Sequence, residues 1–204
     1  MTIAGKKSLY PERTHARRKQ VLDAAEHCFG VSGFHGASMA EISKVAGMSA
    51  GHIYNYFGSK DEIIAAFVQQ NVERVSAIVS DLQQKEDTLQ AIYDDIERSI
   101  HENLQPGYWK LPLEIYAEAS RNPKIAALAQ AADRHSCNEF QALLKKGRQK
   151  RGMPTDDAML AGRMEAMVSF FQGVQVRALL NPGLDEAAMV KALKMALHTL
   201  LFNE

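Results

Sequence analysis

Apolar residues recur at intervals of three and four along most of this chain, which is the spacing that indicates amphipathic helices. The pattern predicts helices over about residues 14–32, 39–46, 50–56, 60–84, 88–104, 122–150, 155–180 and 185–202. Clusters of proline and glycine, such as Pro106-Gly107 and Pro182-Gly183, separate the later helices. A short aromatic stretch at residues 108–116 lies between two of them. No segment alternates with the period of a strand, so the sequence predicts an all-α fold of about nine helices.

Two short helices joined by a tight turn are predicted within residues 38–60, SMAEISKVAGMSAGHIYNYFGSK. Ser38 can cap the first helix and Ser49 the second, because a serine side chain accepts a hydrogen bond from the backbone of the first turn. Gly47 lies between the helices, where a residue that adopts positive φ at low cost is favoured. Two helices that cross through a short turn containing glycine are typical of a helix-turn-helix, whose second helix lies in a DNA major groove.

The residues around this pattern resemble the DNA-binding domain of the TetR (tetracycline-repressor-like) family of bacterial transcriptional regulators. The resemblance covers roughly the first third of the chain and rests on Val21-Leu22, Ala24-Ala25, Phe29, Gly33-Phe34, Gly36-Ala37-Ser38-Met39, Ile42, Ala46-Gly47-Met48-Ser49, Gly51, Ile53-Tyr54 and Tyr56-Phe57-Gly58-Ser59-Lys60. It implies a three-helix DNA-binding domain over residues 1–60. It also implies a larger helical domain over residues 61–204 that binds an inducer and forms a homodimer. A regulator of this kind would bind a palindromic operator on double-stranded DNA.

The candidate DNA-binding residues lie on and around the second helix of the motif. Ile53 and Phe57 are four residues apart and can anchor this helix inward, which leaves its polar side chains to face outward. The first 60 residues carry eight Lys/Arg against four Asp/Glu, whereas the rest of the chain carries sixteen against twenty. This excess of positive charge favours contact with a polyanion, although a solvated basic tail is the alternative. The predicted DNA-binding set is Arg17, Ser38, Met39, Lys44, Ser49, Ala50, Gly51, His52, Tyr54, Asn55, Tyr56 and Lys60, of which the last two match family positions that touch phosphate.

Aromatic and methionine side chains are concentrated in the predicted second domain. Cavities lined by such groups suit small organic ligands, and the resemblance implies an inducer pocket in this domain. The predicted ligand-binding set is Phe67, Tyr93, Trp109, Tyr116, Phe140, Met167, Phe170 and Phe171. The alternative is that these residues form an ordinary hydrophobic core.

The last two predicted helices are apolar on more than one face, which indicates burial on two sides. One side can pack on the rest of the domain, and the other on the same helices of a second subunit. Glycine in a helix interior costs about 1 kcal/mol relative to alanine, so Gly173 favours the close approach of a partner helix. The predicted dimer interface is Met164, Gly173, Val176, Leu193, Ala196, Leu197 and Leu200. A monomer with two central helices is the alternative.

The sequence contains none of the short motifs that mark zinc proteases, P-loops, dinucleotide-binding folds or nucleophile elbows, so neither an enzyme nor a cofactor is expected. His101, His135 and Cys137 are scattered and would form a metal site only by an accident of folding. Glu114 and Glu118 share one helix face and are interpreted as solvated. An enzyme or ligand-binding protein with a vestigial DNA-binding head is the rival hypothesis. The leading hypothesis is a repressor that a small-molecule ligand releases from its operator, and an activator or a regulator controlled by a protein partner are the alternatives.

Basic residues also cluster near the end of the helix predicted over residues 122–150. They are Lys145, Lys146, Arg148, Lys150 and Arg151. Cations suit the C-terminus of a helix because they interact favourably with its dipole, and a second nucleic-acid patch is the alternative.

The two cysteines, Cys28 and Cys137, are far apart and form no CxxC motif, which fits a reducing cytosol. Cys28 falls on the inner face of the first helix and is interpreted as a small core residue. No apolar run reaches the ~18 residues that a membrane helix needs. The N-terminal segment has no hydrophobic signal core, so the expected location is the cytoplasm.

Overall fold

The computed structural model describes residues 10–203, and every regular element in this range is an α-helix, which confirms the predicted fold class. The helices are α1 (Tyr10–Gly36), α2 (Met39–Val45), α3 (Ala50–Ile53), α4 (Lys60–Gln83), α5 (Thr88–Leu104), α6 (Pro106–Ala119), α7 (Pro123–Lys150), α8 (Asp157–Leu180) and α9 (Glu186–Phe202). Residues 1–9, which include two lysines of the basic N-terminal segment, lie outside the described range. The aromatic stretch at residues 108–116 is helical and forms most of α6.

Short polar side chains begin several of these helices, as the sequence predicts. Ser38 Oγ accepts a hydrogen bond from the Glu41 N–H at 3.1 Å, and Ser49 Oγ accepts one from the His52 N–H at 3.2 Å. Asp185 caps α9 in the same way by accepting from the Ala188 N–H at 2.9 Å. Each cap satisfies an amide that has no partner within its own helix, so these helix starts are determined locally.

Glycines with positive φ bend the chain at two positions of unit 1, of which the sequence predicts the one at Gly47. Gly33 has φ 69° and ψ 170°, a combination that is essentially restricted to glycine, and it breaks the axis of α1 three residues before its formal end at Gly36. Gly47 has φ 64° in the turn between α2 and α3. The second helix of the helix-turn-helix, α3, which is called the recognition helix below, is shorter than predicted. Regular α-helix covers only Ala50–Ile53, and the next three residues form turns.

The described residues group into two compact units. Unit 1 comprises the described residues up to Phe67 together with Glu114–Ala126, and unit 2 comprises Val68–Leu113 and the chain from Ala127 onward. Unit 1 therefore contains the whole helix-turn-helix and also a segment that is distant in sequence, from the end of α6 to the start of α7. The domain boundary predicted at residue 60 remains a prediction.

The core of unit 1 is formed by α1 to α4. Phe29 is buried and its ring centroid lies 5.5 Å from that of Phe34 and 6.4 Å from that of Phe67. Cys28 is 1% exposed, which confirms its interpretation as a core residue, and burial raises the pKa of its thiol. This packing fixes the base on which the recognition helix rests.

In unit 2, α5 packs against α8 and α9. The buried side chains of this cluster include Leu89, Ile96, Ile100, Leu143, Leu160, Met164, Val174, Leu197 and Leu201. Within the described range, none of the helices is both long enough and apolar enough to span a membrane.

Candidate functional site

The recognition helix α3 is held by apolar side chains on one side only. Ile53 is 0% exposed and Phe57 is 1% exposed, which confirms that both point into unit 1. Ser49, Ala50, Gly51, His52, Tyr54 and Asn55 are all exposed. The structure thus brings the central members of the predicted DNA-binding set together on the outer side of one short helix and its turns.

At Gly51 no side chain projects from this surface. A Cβ atom built at Gly51 would meet no other atom within 4 Å, so nothing inside the protein requires a glycine there. Its neighbour Ala50 is also small and exposed. A helix with small residues at its N-terminal end can approach a bulky surface closely, as major-groove binding requires.

His52 and Tyr56 form a polar pair on the same side. The Tyr56 hydroxyl lies 3.3 Å from His52 Nε2, and the two rings meet edge to face with centroids 5.3 Å apart. Each group restricts the other, so the hydroxyl and the imidazole are held in a defined arrangement on this surface.

Two side chains of α1 hydrogen-bond to the backbone just after α2 and in the turn after α3. The sequence does not identify either of them as a positioning group. Gln20 Nε2 donates to the Ala46 carbonyl at 2.6 Å, just after α2. Arg18 Nη1 donates to the Tyr56 carbonyl at 2.6 Å, and its guanidinium lies 4.2 Å from the centre of the Phe57 ring. Both contacts satisfy carbonyls that a helix end leaves without a partner. The sequence shows the basic residues of α1, but only the fold shows which carbonyl Arg18 reaches.

Lys60 contacts the protein itself. Its Nζ donates to the Phe34 carbonyl at 2.5 Å and to the Ala37 carbonyl at 2.7 Å, and it lies 4.5 Å from the centre of the Phe34 ring. An ammonium group has three N–H donors, so these contacts leave one for another acceptor. The predicted phosphate contact of Lys60 therefore remains a prediction.

The other predicted DNA-binding residues lie in unit 1 around this surface. Arg17, Ser38 and Lys44 are exposed, and Met39 is half-buried. Arg17 Nη1 donates to Gln20 Oε1 at 2.7 Å. Exposed cations, hydroxyls and an amide on one compact helical unit are the groups that bind phosphates and base edges.

Comparison with known protein families supports the interpretation of this surface as part of a DNA-binding helix-turn-helix. Residues 21–67 match the family model described as bacterial regulatory proteins, tetR family, and residues 85–201 match the model described as BetI-type transcriptional repressor, C-terminal. The two matches together cover most of the chain, including both its head and its body. The chain belongs to the tetR family of transcriptional regulators.

Individual relatives agree with this assignment. The regulator UidR of Escherichia coli K12 is 31% identical over 158 residues, which cover 77% of this chain and 79% of UidR. Salmonella enterica GusR is similar in structure, with a TM-score of 0.72, 25% identity, and coverage of 91% of this chain and 95% of GusR. FadR of Bacillus subtilis, solved in complex with stearoyl-CoA, has a TM-score of 0.74 at 17% identity over 91% of this chain and 98% of FadR. The chain is therefore a DNA-binding transcriptional regulator and not an enzyme.

In this tetR-family member the predicted ligand-binding residues divide between the two units. Phe67 packs in the core of unit 1. Tyr116 belongs to the same unit but lies at its surface, with 45% of its area exposed. Met167 is buried in the core of unit 2, and partly buried Tyr93, Phe140, Phe170 and Phe171 pack against that core. Trp109, half-buried, belongs to unit 2 as well.

Two buried polar atoms of unit 2 have no hydrogen-bond partner among the described residues: Trp109 Nε1 and Gln175 Oε1. The other side of the Gln175 amide donates to Asn103 Oδ1 at 2.8 Å. Buried polar groups without partners are rare in folded proteins, so each of these two atoms marks a position where a polar partner is needed. The sequence signal for Trp109 was its place in the aromatic stretch, whereas nothing marked Gln175.

Tyr93 also lines an open groove between α5 and α9, with a volume of about 1010 Å³. Its rim carries cationic and anionic side chains, including Arg98, Lys194 and Glu186, together with His101. His101 Nδ1 lies 2.7 Å from Glu186 Oε1 and links the two helices. Among the described residues, no group of three or more histidines, cysteines or acids is placed to hold a metal ion.

The predicted dimer-interface residues fall into two classes. Met164 and Leu197 are 5% and 1% exposed and lie in the core of their own chain. Gly173 and Val176 are exposed, and Leu193, Ala196 and Leu200 are partly buried. A partner subunit could therefore contact the exposed class directly, whereas a change at Leu197 would act first on folding.

Proposed function

We propose that this regulator is a cytoplasmic repressor that binds a palindromic operator as a homodimer and leaves it when unit 2 binds a small organic ligand. The observation that carries the DNA-binding part is the recognition helix itself. Its inner side is anchored by Ile53 and Phe57, and its outer side carries exposed His52, Tyr54 and Asn55 around the open position of Gly51. Bidentate pairing of asparagine with adenine is one readout that this surface allows.

The homodimer is supported by the exposed apolar surface of α8 and α9. Met195 is 68% exposed, Leu180 is 66% exposed and Val176 is 39% exposed, although all three lie on long helices whose other faces form the core. A Cβ atom at Gly173 would meet nothing within 4 Å inside the chain. Apolar side chains around an unhindered glycine are typical of a surface that a second helix covers.

A dimer explains how one short helix can read an operator. Two-fold symmetry places two recognition helices on successive turns of the major groove, about 34–36 Å apart. A ligand that binds better to a conformation with another spacing lowers operator affinity by shifting the population, and only by as much as its preference for that conformation.

The ligand part of the proposal is supported by Trp109 Nε1 and Gln175 Oε1 in unit 2. One is a donor and the other an acceptor, and unit 2 also contains aromatic and methionine side chains that pack against its core. We infer that the ligand is an organic molecule with an apolar body and neutral hydrogen-bonding groups. FadR, which shares this fold, was solved with an organic ligand, stearoyl-CoA.

Selection of bound fragments from a genomic library tests the DNA-binding proposal and supplies the operator. The bound fragments should share a palindrome with half-sites one helical turn apart. Binding without any shared sequence would contradict the proposal.

Sedimentation of the native protein and of two variants tests the dimer. Met195→Glu places a carboxylate on the exposed face of α9 and should separate the subunits, because an unpaired charge is costly to bury. Ala131→Glu adds the same group at an exposed position of α7 and is the matched control. A native species of 22.6 kDa with full operator affinity would exclude the dimer.

Tryptophan fluorescence tests the ligand, because Trp109 is the only tryptophan in the chain. The probes are small organic compounds related to the substrates of enzymes encoded beside the selected operator. A compound that releases the operator should also change the Trp109 emission and lose affinity for a Gln175→Leu variant. Operator release with unchanged emission and equal affinity for that variant would place the ligand elsewhere.

A further inference from the structure

The segment at residues 33–37, from the kink of α1 at Gly33 to Ala37, connects the long part of α1 to α2 and is here called the connector. It is held by carboxylates that lie outside the helix-turn-helix. Gly33 has non-helical φ and ψ within α1. The next residue, Phe34, donates its N–H to Glu114 Oε2 at 3.2 Å, across 80 positions of sequence. A Cβ atom on Gly33 would lie 3.5 Å from the same oxygen, which is an ordinary contact, so it is the positive φ that favours glycine at this position.

Glu118 lies one helical turn after Glu114 and contacts the same connector. Its side chain is only 3% exposed, so the interpretation of Glu118 as part of a solvated face is wrong. His35 Nε2 lies 2.8 Å from Glu118 Oε2, and Asn122 Nδ2 donates to Glu118 Oε1 at 3.1 Å. Arg121 Nη2 is 3.8 Å from Oε2. A carboxylate is buried at low cost only when such groups surround it.

Lys60 holds the same connector through its carbonyls. Its ammonium contacts the Phe34 and Ala37 oxygens, while Glu114 accepts from the Phe34 N–H. Ala37 is 1% exposed and is followed at once by Ser38, the cap of α2. Helix α2 packs against α3, so the connector determines where the recognition helix lies on unit 1.

We infer that Glu114 and Glu118 are positioning residues for operator binding, acting on the recognition helix through the connector. Two negative charges in a DNA-binding unit oppose phosphate binding in general, so electrostatics alone gives no reason to place them there. A positioning role explains both. Glu114 accepts a charge-assisted hydrogen bond from the Phe34 N–H, and such bonds fix a segment more strongly than neutral ones do. Glu118 Oε2 is buried without a hydrogen-bond partner among the described residues and lies 2.8 Å from His35 Nε2, so the imidazole is the group of the connector that it can hold. The regulator would then read its operator only when α6 holds the connector in place.

The sign of the change in affinity separates this role from simple repulsion. Glu118→Gln and Glu114→Gln remove a negative charge and keep the side-chain volume. If the acids only repel DNA, both variants should bind operator and random DNA more tightly. If they position the connector, affinity for the operator should fall about tenfold, the loss expected for one charge-assisted hydrogen bond, while affinity for random DNA does not fall.

Glu26→Gln is the matched control, since Glu26 is an exposed acid of unit 1 with no partner among the described residues. It should leave the ratio of operator to random-DNA affinity unchanged. Retention of the selected fragment by the wild-type protein tests the proposed operator independently of every variant.

His35→Gln keeps the inference testable if a buried substitution disturbs folding, because the His35 side chain is 68% exposed. This variant should melt like the wild type, lose operator affinity by a similar factor, and show no further loss when combined with Glu118→Gln. Full operator affinity in a folded His35→Gln variant, or additive losses in the double variant, would overturn the role of the Glu118 contact. A Glu114→Gln variant with unchanged operator affinity would overturn the positioning role of Glu114.

Discussion

Arg148 Nη1 donates to the Leu201 carbonyl at 2.8 Å and thereby carries a full positive charge to the buried end of α9. The Arg148 side chain is 0% exposed, and its other contacts are the carbonyls of Pro154 and Asn203. Burial lowers the pKa of this guanidinium, and the nearby charge of Arg163 lowers it further. The partial negative charge at a helix C-terminus offsets part of this cost, so the arginine acts as a buried cap.

Replacing Arg148 should therefore destabilise unit 2 strongly. Arg148→Met keeps the apolar stem but leaves three carbonyls without their donor, and we expect a loss of about 2–4 kcal/mol in the free energy of unfolding. Lys146→Met is the control, because Lys146 is exposed on the same helix. Urea unfolding followed by circular dichroism measures both, and equal stability of the two variants would contradict the buried cap.

Asp87 should make the stability of unit 2 depend on pH. Asp87 caps α5 by accepting from the Gln90 N–H, and it also accepts from Arg151 Nη2. The arginine contact first, and the cap second, lower the pKa of this carboxyl. A lowered pKa in the folded state contributes stability above the ordinary value of about 4, and this stability is lost as the pH falls through the folded-state pKa.

The variant that tests this is Asp87→Asn, which keeps a good cap but cannot titrate. The melting temperature of the wild type should exceed that of Asp87→Asn near pH 7, and the difference should shrink in acid. Asp156→Asn is the matched control, because Asp156 caps α8 and has no basic partner among the described residues. If Asp87→Asn and Asp156→Asn lowered the melting temperature equally and with the same pH dependence, the pH effect could not be assigned to the contact between Asp87 and Arg151.

Gly51→Leu should separate DNA binding from folding. Gly51 is exposed and no protein atom lies within 4 Å of a Cβ placed there, so the melting temperature should stay within a few degrees of the wild type. Operator affinity should fall at least tenfold, because a leucine would occupy the space that a base edge needs. Gly30→Leu is the control, since Gly30 is also exposed and a Cβ atom there would meet nothing within 4 Å. Equal operator affinity of the two variants would place Gly51 outside the interface.

Lys60→Ala should reveal whether the ammonium also reaches a phosphate. If its third N–H binds one, the slope of log affinity against log salt should become shallower by about one, for random DNA as well as for the operator. Lys85→Ala, an exposed lysine of unit 2, should leave the slope unchanged. An unchanged slope for Lys60→Ala, together with weaker operator binding, would restrict Lys60 to its contacts with Phe34 and Ala37.

Short-range signals explain why the helix-turn-helix could be predicted. The serine caps at Ser38 and Ser49 and the turn at Gly47 depend on groups a few residues apart. The inward direction of Ile53 and Phe57 follows from helical spacing alone. Such interactions are present in any chain with these residues, so the sequence alone determined the all-helical fold and which side of α3 is exposed for the proposed contact with DNA.

Only the tertiary structure decided which charges are buried. Glu118 has the spacing of a surface acid and Arg148 that of a basic helix end, yet they are 3% and 0% exposed. Leu197 fits a dimer face by pattern and lies in the core of its own chain. The physical reason is that the cost of burying a charge is offset by partners distant in sequence, such as His35 for Glu118 and Leu201 for Arg148, and helical periodicity carries no information about them.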